Sequence, residues 1–228
     1  MEYWCLLSSV VRTGLPVILH TDLKEGEAGE FCPYKILNLT IRQVEFSNQI
    51  KGVEAKHIAH ICDWYRINLL LAEGGIYADI DQFWLTSIKH LCEHQAFACW
   101  QNQGYKTVAN GVFGCSANDA NLLKYKDAYT TSATYWKSAN MYKHILGSHW
   151  TILKRNTFYP WTNGRTEFLT NPEFKINTTI SLGVQLWAHK YRVGFNFETT
   201  PLARSFLELK SCEKNRKECP TTKTVRFM

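Results

Sequence analysis

The stretch Gly74-Gly75-Ile76-Tyr77-Ala78-Asp79-Ile80-Asp81 decides the reading of this chain. Two glycines stop whatever helix precedes them, a short apolar run follows, and two carboxylates then alternate across one isoleucine. Read as a strand, the alternation sends Asp79 and Asp81 to one face and packs Ile80 behind them. Carboxylates that share a face repel unless a cation lies between them. Hard oxygen ligands at this spacing suit Mn²⁺ or Mg²⁺ bridging a diphosphate.

Upstream, residues 54–73 carry Ala55, Ile58, Ala59, Cys62, Tyr65, Leu69 and Ala72 at helical spacing. This predicts a helix with those residues toward the core, ended by Gly74 and Gly75, with Asp63 and Arg66 on another face. Such i, i+3 pairs are usually surface ion pairs, but this helix runs directly into the carboxylate segment. In open α/β sheets, ligands collect at the carboxyl ends of strands. Residues 3–13 read as a helix, Leu15 to His20 as a short buried strand, 24–30 as a turn and 35–46 as strand-like. Further helical patterns fall at 117–129 and 138–155, a late strand at 191–197, and the polar segment from 208 reads as a mobile tail. The predicted class is α/β, with one domain over residues 1–207 and a basic polar tail over 208–228.

With 228 residues, 45% of them apolar, the chain can bury a core. A net charge of +6 comes from 26 Lys and Arg spread along the chain, apart from Lys210, Lys214, Arg216, Lys217, Lys223 and Arg226. The isoelectric point is about 8.8. No basic face with interleaved aromatics emerges, which argues against nucleic-acid binding. No window reaches the ~18 apolar residues of a membrane span, and the start lacks a signal-peptide pattern. Eight cysteines show no CxxC spacing; Cys212 with Cys219 is a candidate disulfide. Sequons at Asn38 and Asn177 agree weakly with a secretory lumen.

The segment from His57 to Arg66, followed by Gly74 to Asp81, resembles the DXD-motif sugar-binding glycosyltransferases of family 32. That family includes α1,4-galactosyl- and α1,4-N-acetylglucosaminyltransferases and fungal initiating mannosyltransferases, and the clostridial glucosylating toxins share a similar core. Cys5 to Thr13 resembles the family's first helix, Val108 to Gly114 its asparagine-glycine strand, and Phe158-Tyr159-Pro160 its late aromatic-proline element. Most of residues 5–190 is covered. The resemblance implies a GT-A type, Rossmann-like nucleotide-sugar-binding domain, with no counterpart of the family's opening strand in this sequence.

By the same resemblance Asp79 and Asp81 are the catalytic candidates, holding the metal and the diphosphate. Asp63, Arg66, Asn110 and Gly111 would meet the donor sugar. A carboxylate accepts from sugar hydroxyls, a guanidinium donates to sugar oxygens or a departing phosphate, and an amide does both. Asn-Gly pairs are also common simple turns. Gly183 to Lys190 resembles the family's C-terminal histidine-tryptophan segment, but Gln185 stands where the histidine is usual. His189 is then the expected third metal contact and Gln185 the alternative. His149-Trp150-Thr151 aligns with a region that shapes the acceptor side and is not counted among the catalytic residues.

The implied activity is a metal-dependent, retaining transfer of a hexose from a nucleotide sugar, UDP-linked by preference, to a glycan hydroxyl on a glycolipid or glycoprotein. The expected cofactor is Mn²⁺ or Mg²⁺. A Golgi-lumen location is implied, with the cytoplasm as the alternative given no anchor or signal in this sequence. The rival function is a non-catalytic glycan- or nucleotide-binding relative that has lost turnover. An aspartyl-nucleophile phosphatase also uses Asp-x-Asp, but needs Thr or Val close behind; here Gln82-Phe83 follows. His90, Cys92 and His94 have zinc-ligand types, but no second ligand pair lies at zinc spacing, and Cys92 reads as a buried thiol.

Overall fold

The computed structural model of the chain describes residues 2–23, 39–101, 104, 107–131, 146–160, 176–186 and 225–227. Helix α1 (Glu2–Arg12) leads to strand β1 (Val17–Thr21), then β2 (Leu39–Gln43) and the small hairpin β3 (Gln49–Ile50) and β4 (Val53–Glu54). Helix α2 (Ile58–Glu73) feeds β5 (Gly75–Ala78), and β6 (Gln82–Trp84), β7 (Ala96–Trp100) and β8 (Val108–Cys115) follow. Helix α3 (Ala120–Ala128), β9 (Trp150–Leu153), β10 (Gly183–Gln185) and β11 (Val225–Phe227) complete the described α-helices and strands, with short 3₁₀ turns at Lys89–Glu93 and Arg155–Thr157. The class is mixed α/β, as the sequence predicts.

Seven strands form one sheet in the order β2-β1-β11-β5-β8-β7-β9. β1 runs parallel to both β2 and β11, and β11 runs parallel to β5. β8 is antiparallel to its neighbours β5 and β7, and β9 is parallel to β7. Buried apolar side chains cover both faces of β5, as the near-continuous run Ile76-Tyr77-Ala78 requires. Ile76 and Ala78 pack with Val17, Trp84, Val112 and Phe158, while Tyr77 packs with Ile67, Leu70, Phe113 and Trp150 on the other side.

Helix α2 starts where the His57 side chain accepts from Ala59 N–H at 3.1 Å, and ends where Gly74 N–H donates to the Leu70 carbonyl. Gly74 has φ +64°, and a Cβ there would lie 2.7 Å from the backbone nitrogen of Ala117, so both conformation and space demand glycine.

Three sequence expectations are corrected. The buried stripe of α2 comprises His60, Asp63, Arg66, Ile67, Leu69 and Leu70. Ile58 at the helix start is instead 67% exposed, and Ala72 is exposed. Polar residues that supply one another's partners take the inner face, which a count of apolar letters misses. Of the helix expected over 138–155, residues 138–145 lie outside the described residues; Leu146 is helical, but Gly147 turns at φ +72°, and Trp150–Leu153 is an edge strand. Short apolar runs do not distinguish a strand from a buried helix. Inside the segment read as a mobile tail, Val225–Phe227 forms β11 between β1 and β5. The strand expected at 191–197, the 24–30 turn and the Cys212–Cys219 pair lie outside the described residues.

Candidate functional site

β5 ends at Ala78, so Asp79 and Asp81 stand in the turn just beyond the strand rather than within it. Asp79 N–H donates to the Gly111 carbonyl at 2.8 Å, and Gln82 N–H closes the turn on the Asp79 carbonyl at 2.9 Å. The turn delivers the chain into β6, whose antiparallel partner is β10, with Gln185 opposite Gln82. Leu186 N–H then donates to the Asp81 carbonyl at 3.0 Å. Both carboxylates meet one group: Gln185 Nε2 donates to Asp81 Oδ1 and lies 3.4 Å from Asp79 Oδ2. The two carboxylates share a face, as alternation predicts, although a turn and a second small sheet bring this about.

Behind this pair lies a buried polar network. Arg66, with a side chain 7% exposed, places Nη1 3.1 Å from Asp79 Oδ1 and donates to the Asn110 carbonyl at 2.7 Å. Its Nη2 is 3.4 Å from Asp63 Oδ1, and its guanidinium carbon lies 4.4 Å from the centre of the Tyr77 ring. The Asp63 side chain is 0% exposed. It accepts from Asn110 Nδ2 at 2.8 Å and from Tyr129 Oη at 3.0 Å, and His60 Nδ1 bonds that same hydroxyl at 2.8 Å. Asp63 therefore faces protein groups on every side and holds Arg66 and Asn110 in position. The Asp79 side chain, by contrast, is 28% exposed, and Asp81 is also half-buried.

Asn110 and Gly111 are not a turn. They lie within β8, where its ladder with β7 is irregular between the Phe97–Gly114 and Cys99–Ala109 pairs. Such bulges re-aim side chains beside functional sites. A Cβ on Gly111 would stand 2.7 Å from Asp79 Oδ2 and 2.9 Å from Tyr159 Oη, so glycine makes room for the carboxylate.

Four residues join the site that residue types alone did not single out for it. Tyr77 Oη, near the end of the strand, donates to Asp79 Oδ1 in the following turn at 2.9 Å. Burial, and to a lesser degree Asp79, push its phenol well above the ordinary range despite the opposing Arg66, so it stays a donor. Tyr159, also raised by burial first and then by Asp79, sits beneath the same carboxylate. Tyr129 and His60 reach Asp63 through tertiary contacts that carry no local sequence signal.

Other candidates lie elsewhere. His149 Nε2 pairs with Asp119 Oδ2 at 2.7 Å at the opposite end of the sheet from Asp79, beside the Ala96–Trp150 and Ala96–Cys115 pairs. There Asp119 caps α3 through Asn121 and Leu122 N–H. A cleft of about 200 Å³ opens at that same end, lined by Gly74, Gly75, Cys92, His94 and Cys115. None of Asp63, Arg66, Asp79, Asp81, Asn110 or Gln185 borders it, so its position argues against a role in diphosphate chemistry. His90 and Cys92 fall in a 3₁₀ turn, Lys89–Glu93, and His94 bonds Thr151 Oγ1. Burial holds the Cys99 and Cys115 thiols up at about 12.

Among the described residues no group of three or more His, Cys, Asp or Glu side chains is placed to hold a metal. The donor set nevertheless fits a hard cation. Two carboxylates reach one point, and the Gln185 amide there has a buried Oε1 without a hydrogen-bond partner among the described residues. His189 lies outside the described residues.

Residues 30–98 match the family model of the glycosyltransferase sugar-binding region containing DXD motif. The matched span runs from before β2 through α2, β5 and the Asp79–Asp81 turn into β7. It supports a glycosyltransferase that draws on a nucleotide sugar, a class of domain that generally binds a divalent metal, and the mixed α/β architecture is consistent with a GT-A-like domain. No curated protein and no solved structure matches the chain. No helix among the described residues is long and apolar enough to cross a membrane.

Proposed function

We propose that this chain is a metal-dependent, retaining hexosyltransferase of the family 32 kind, moving a hexose from a nucleotide sugar, UDP-linked by preference, to a hydroxyl of a glycan. The observation that carries the reading is the convergence of Asp79 and Asp81 on one amide at the carboxyl end of β5, with Arg66 paired behind Asp79.

Asp79 and Asp81, with Gln185 or His189 as the third donor, are the residues that would hold Mn²⁺ or Mg²⁺. When bound, the cation supplies positive charge to the diphosphate leaving group. The Arg66 guanidinium, fixed by Asp63, the Asn110 carbonyl and the Tyr77 ring, adds a preorganised cationic field at the same place. Asp63 acts by holding Arg66 and Asn110, and Asn110 orients the donor sugar with the backbone of Gly111. The bond from the anomeric carbon to phosphate oxygen breaks, and the acceptor oxygen bonds to that carbon on the same face. The acceptor's proton passes to the departing phosphate. A trapped glycosyl-enzyme adduct would refute this route.

A glycolipid or glycoprotein acceptor and a Golgi-lumen setting belong to the same proposal. It is tested by calorimetric titration with UDP and with GDP, with and without Mn²⁺, alongside Asp81→Asn. UDP binding that needs both Mn²⁺ and Asp81 is expected. Binding by neither nucleotide would sink the donor site, and binding without transfer from any UDP-hexose would favour a relative without turnover.

A further inference from the structure

Gln185 stands at the point toward which both carboxylates aim, and it is 4% exposed. Carboxylates only accept, so the amide end facing them is the nitrogen, and the network itself assigns that orientation. The forked N–H₂ meets the same electrostatic demand that a cation would meet. It does so at the expense of its other end, because Oε1 is buried without a hydrogen-bond partner among the described residues.

The backbone here is pinned. Gln185 opposes Gln82 across the β6–β10 ladder, Gln185 N–H donates to the Phe158 carbonyl at 3.1 Å, and Leu186 N–H donates to the Asp81 carbonyl. The side chain thus cannot withdraw from the carboxylates by moving the strand. A half-turn about its last torsion, a broad and roughly two-fold rotation, exchanges Nε2 and Oε1 in place. Gln82, directly opposite, is fully buried, and among the described residues neither the nitrogen nor the oxygen of its amide has a hydrogen-bond partner. The Gln82 nitrogen lies against Gly183, two residues before Gln185 on the same strand.

We propose that Gln185 is a two-position amide. With Nε2 inward it clasps Asp79 and Asp81 in the absence of metal; with Oε1 inward it completes the oxygen set for a divalent cation. The inference rests on the metal reading of the Asp79–Asp81 pair and adds that this glutamine gates it. The centre then has a closed, metal-free state that is itself stabilised, and cation affinity is lowered by the hydrogen bonds that must first be released.

The test uses the full chain. Side-chain ¹⁵N–¹H spectra, with the Gln185 N–H₂ pair assigned through its backbone correlation, are recorded with and without Mg²⁺; Mn²⁺ affinity is measured by calorimetry for wild type, Gln185→Glu and Gln185→Met. The expectation is that saturating Mg²⁺ shifts the Gln185 N–H₂ signals and exposes them to exchange. Gln185→Met should bind Mn²⁺ at least tenfold more weakly. Gln185→Glu should bind it at least tenfold more tightly and melt below wild type until Mn²⁺ is added. Unmoved N–H₂ signals at saturating Mg²⁺, or wild-type Mn²⁺ affinity in Gln185→Met, would overturn the proposal and leave the donor-site reading standing. No binding of either cation to wild type, with or without UDP, would overturn both. The wild-type spectra alone decide the point if the variants do not fold.

Discussion

Arg66 and Tyr77 act on the same carboxylate from one stacked unit: the guanidinium lies 4.4 Å from the ring centre and pairs with Asp79 Oδ1, and the hydroxyl of that ring donates to the same oxygen. A helix residue and a strand residue thereby fix the orientation of the carboxylate that follows the strand.

This unit predicts that Arg66→Lys, which keeps charge but loses the planar fork, weakens Mn²⁺-dependent UDP binding by about tenfold or more. Tyr77→Phe removes one hydrogen bond to a charged group and should cost about 1.5–3 kcal/mol across stability and donor affinity together. Calorimetry and urea denaturation on the two variants separate these effects. Wild-type affinity in Arg66→Lys would show that the guanidinium has no part in the donor site.

Gly111→Ala inserts a Cβ at 2.7 Å from Asp79 Oδ2 with the Tyr159 hydroxyl also close, so the carboxylate must swing away. Transfer activity should fall by about two orders of magnitude, since a displacement of ~1 Å at a reacting group costs that much. Circular dichroism should stay near wild type. An active Gly111→Ala would mean that Asp79 does not need its present position.

Asp63 accepts a hydrogen bond from the Tyr129 hydroxyl at 3.0 Å. Tyr129→Phe should destabilise the fold by about 1–3 kcal/mol, the cost of a buried acceptor losing its donor. Asp63→Ala should cost more, about 3–5 kcal/mol, because it strips a buried guanidinium of a counter-charge. Denaturant midpoints measure both. A smaller loss in Asp63→Ala than in Tyr129→Phe would contradict the ordering.

Asp119 predicts a pH dependence with a definite sign. Burial pushes its carboxyl up, but the hydrogen bonds from His149, Leu122 N–H and Trp150 Nε1 together outweigh burial and hold it below the ordinary value. A depressed folded value stabilises the protein above the unfolded carboxyl pKa of about 3.9, and that stabilisation fades as pH falls through the folded value. Wild type should therefore exceed Asp119→Asn in stability at pH 7 and 5, with the gap narrowing below about pH 4. Urea melts at these pH values check it; a gap that widens on acidification would reverse the assignment.

The motif from Gly74 to Asp81 revealed the helix stop, the buried strand and the shared face of the two acids, because each follows from local rules of glycine, alternation and charge. Asp63 and Arg66 stood out for their place on a helix leading into that motif. Their burial was not legible, since it depends on Asn110 and Tyr129, distant in sequence and joined to them only by packing. Gln185 was visible as a departure from a family pattern, whereas its contact with both acids arises from the β6–β10 pairing, and no periodicity announces a three-residue strand. The short apolar run at Trp150 satisfies both periods, and Gly147-Ser148 is the punctuation that sets the edge strand apart from Leu146.

β11 sets a condition on how this protein comes to exist. Val225–Phe227 joins β1 to β5 in register, with Phe227 opposite Ala78, immediately before Asp79. During synthesis the ribosome releases both flanking strands long before the strand that unites them, so the two parts of the sheet must wait side by side with unsatisfied inner edges. The pairing closes a very long loop, which makes it an entropically late and slow event. The interval before β11 arrives is the period in which exposed strand edges can recruit a chaperone or a neighbouring nascent chain.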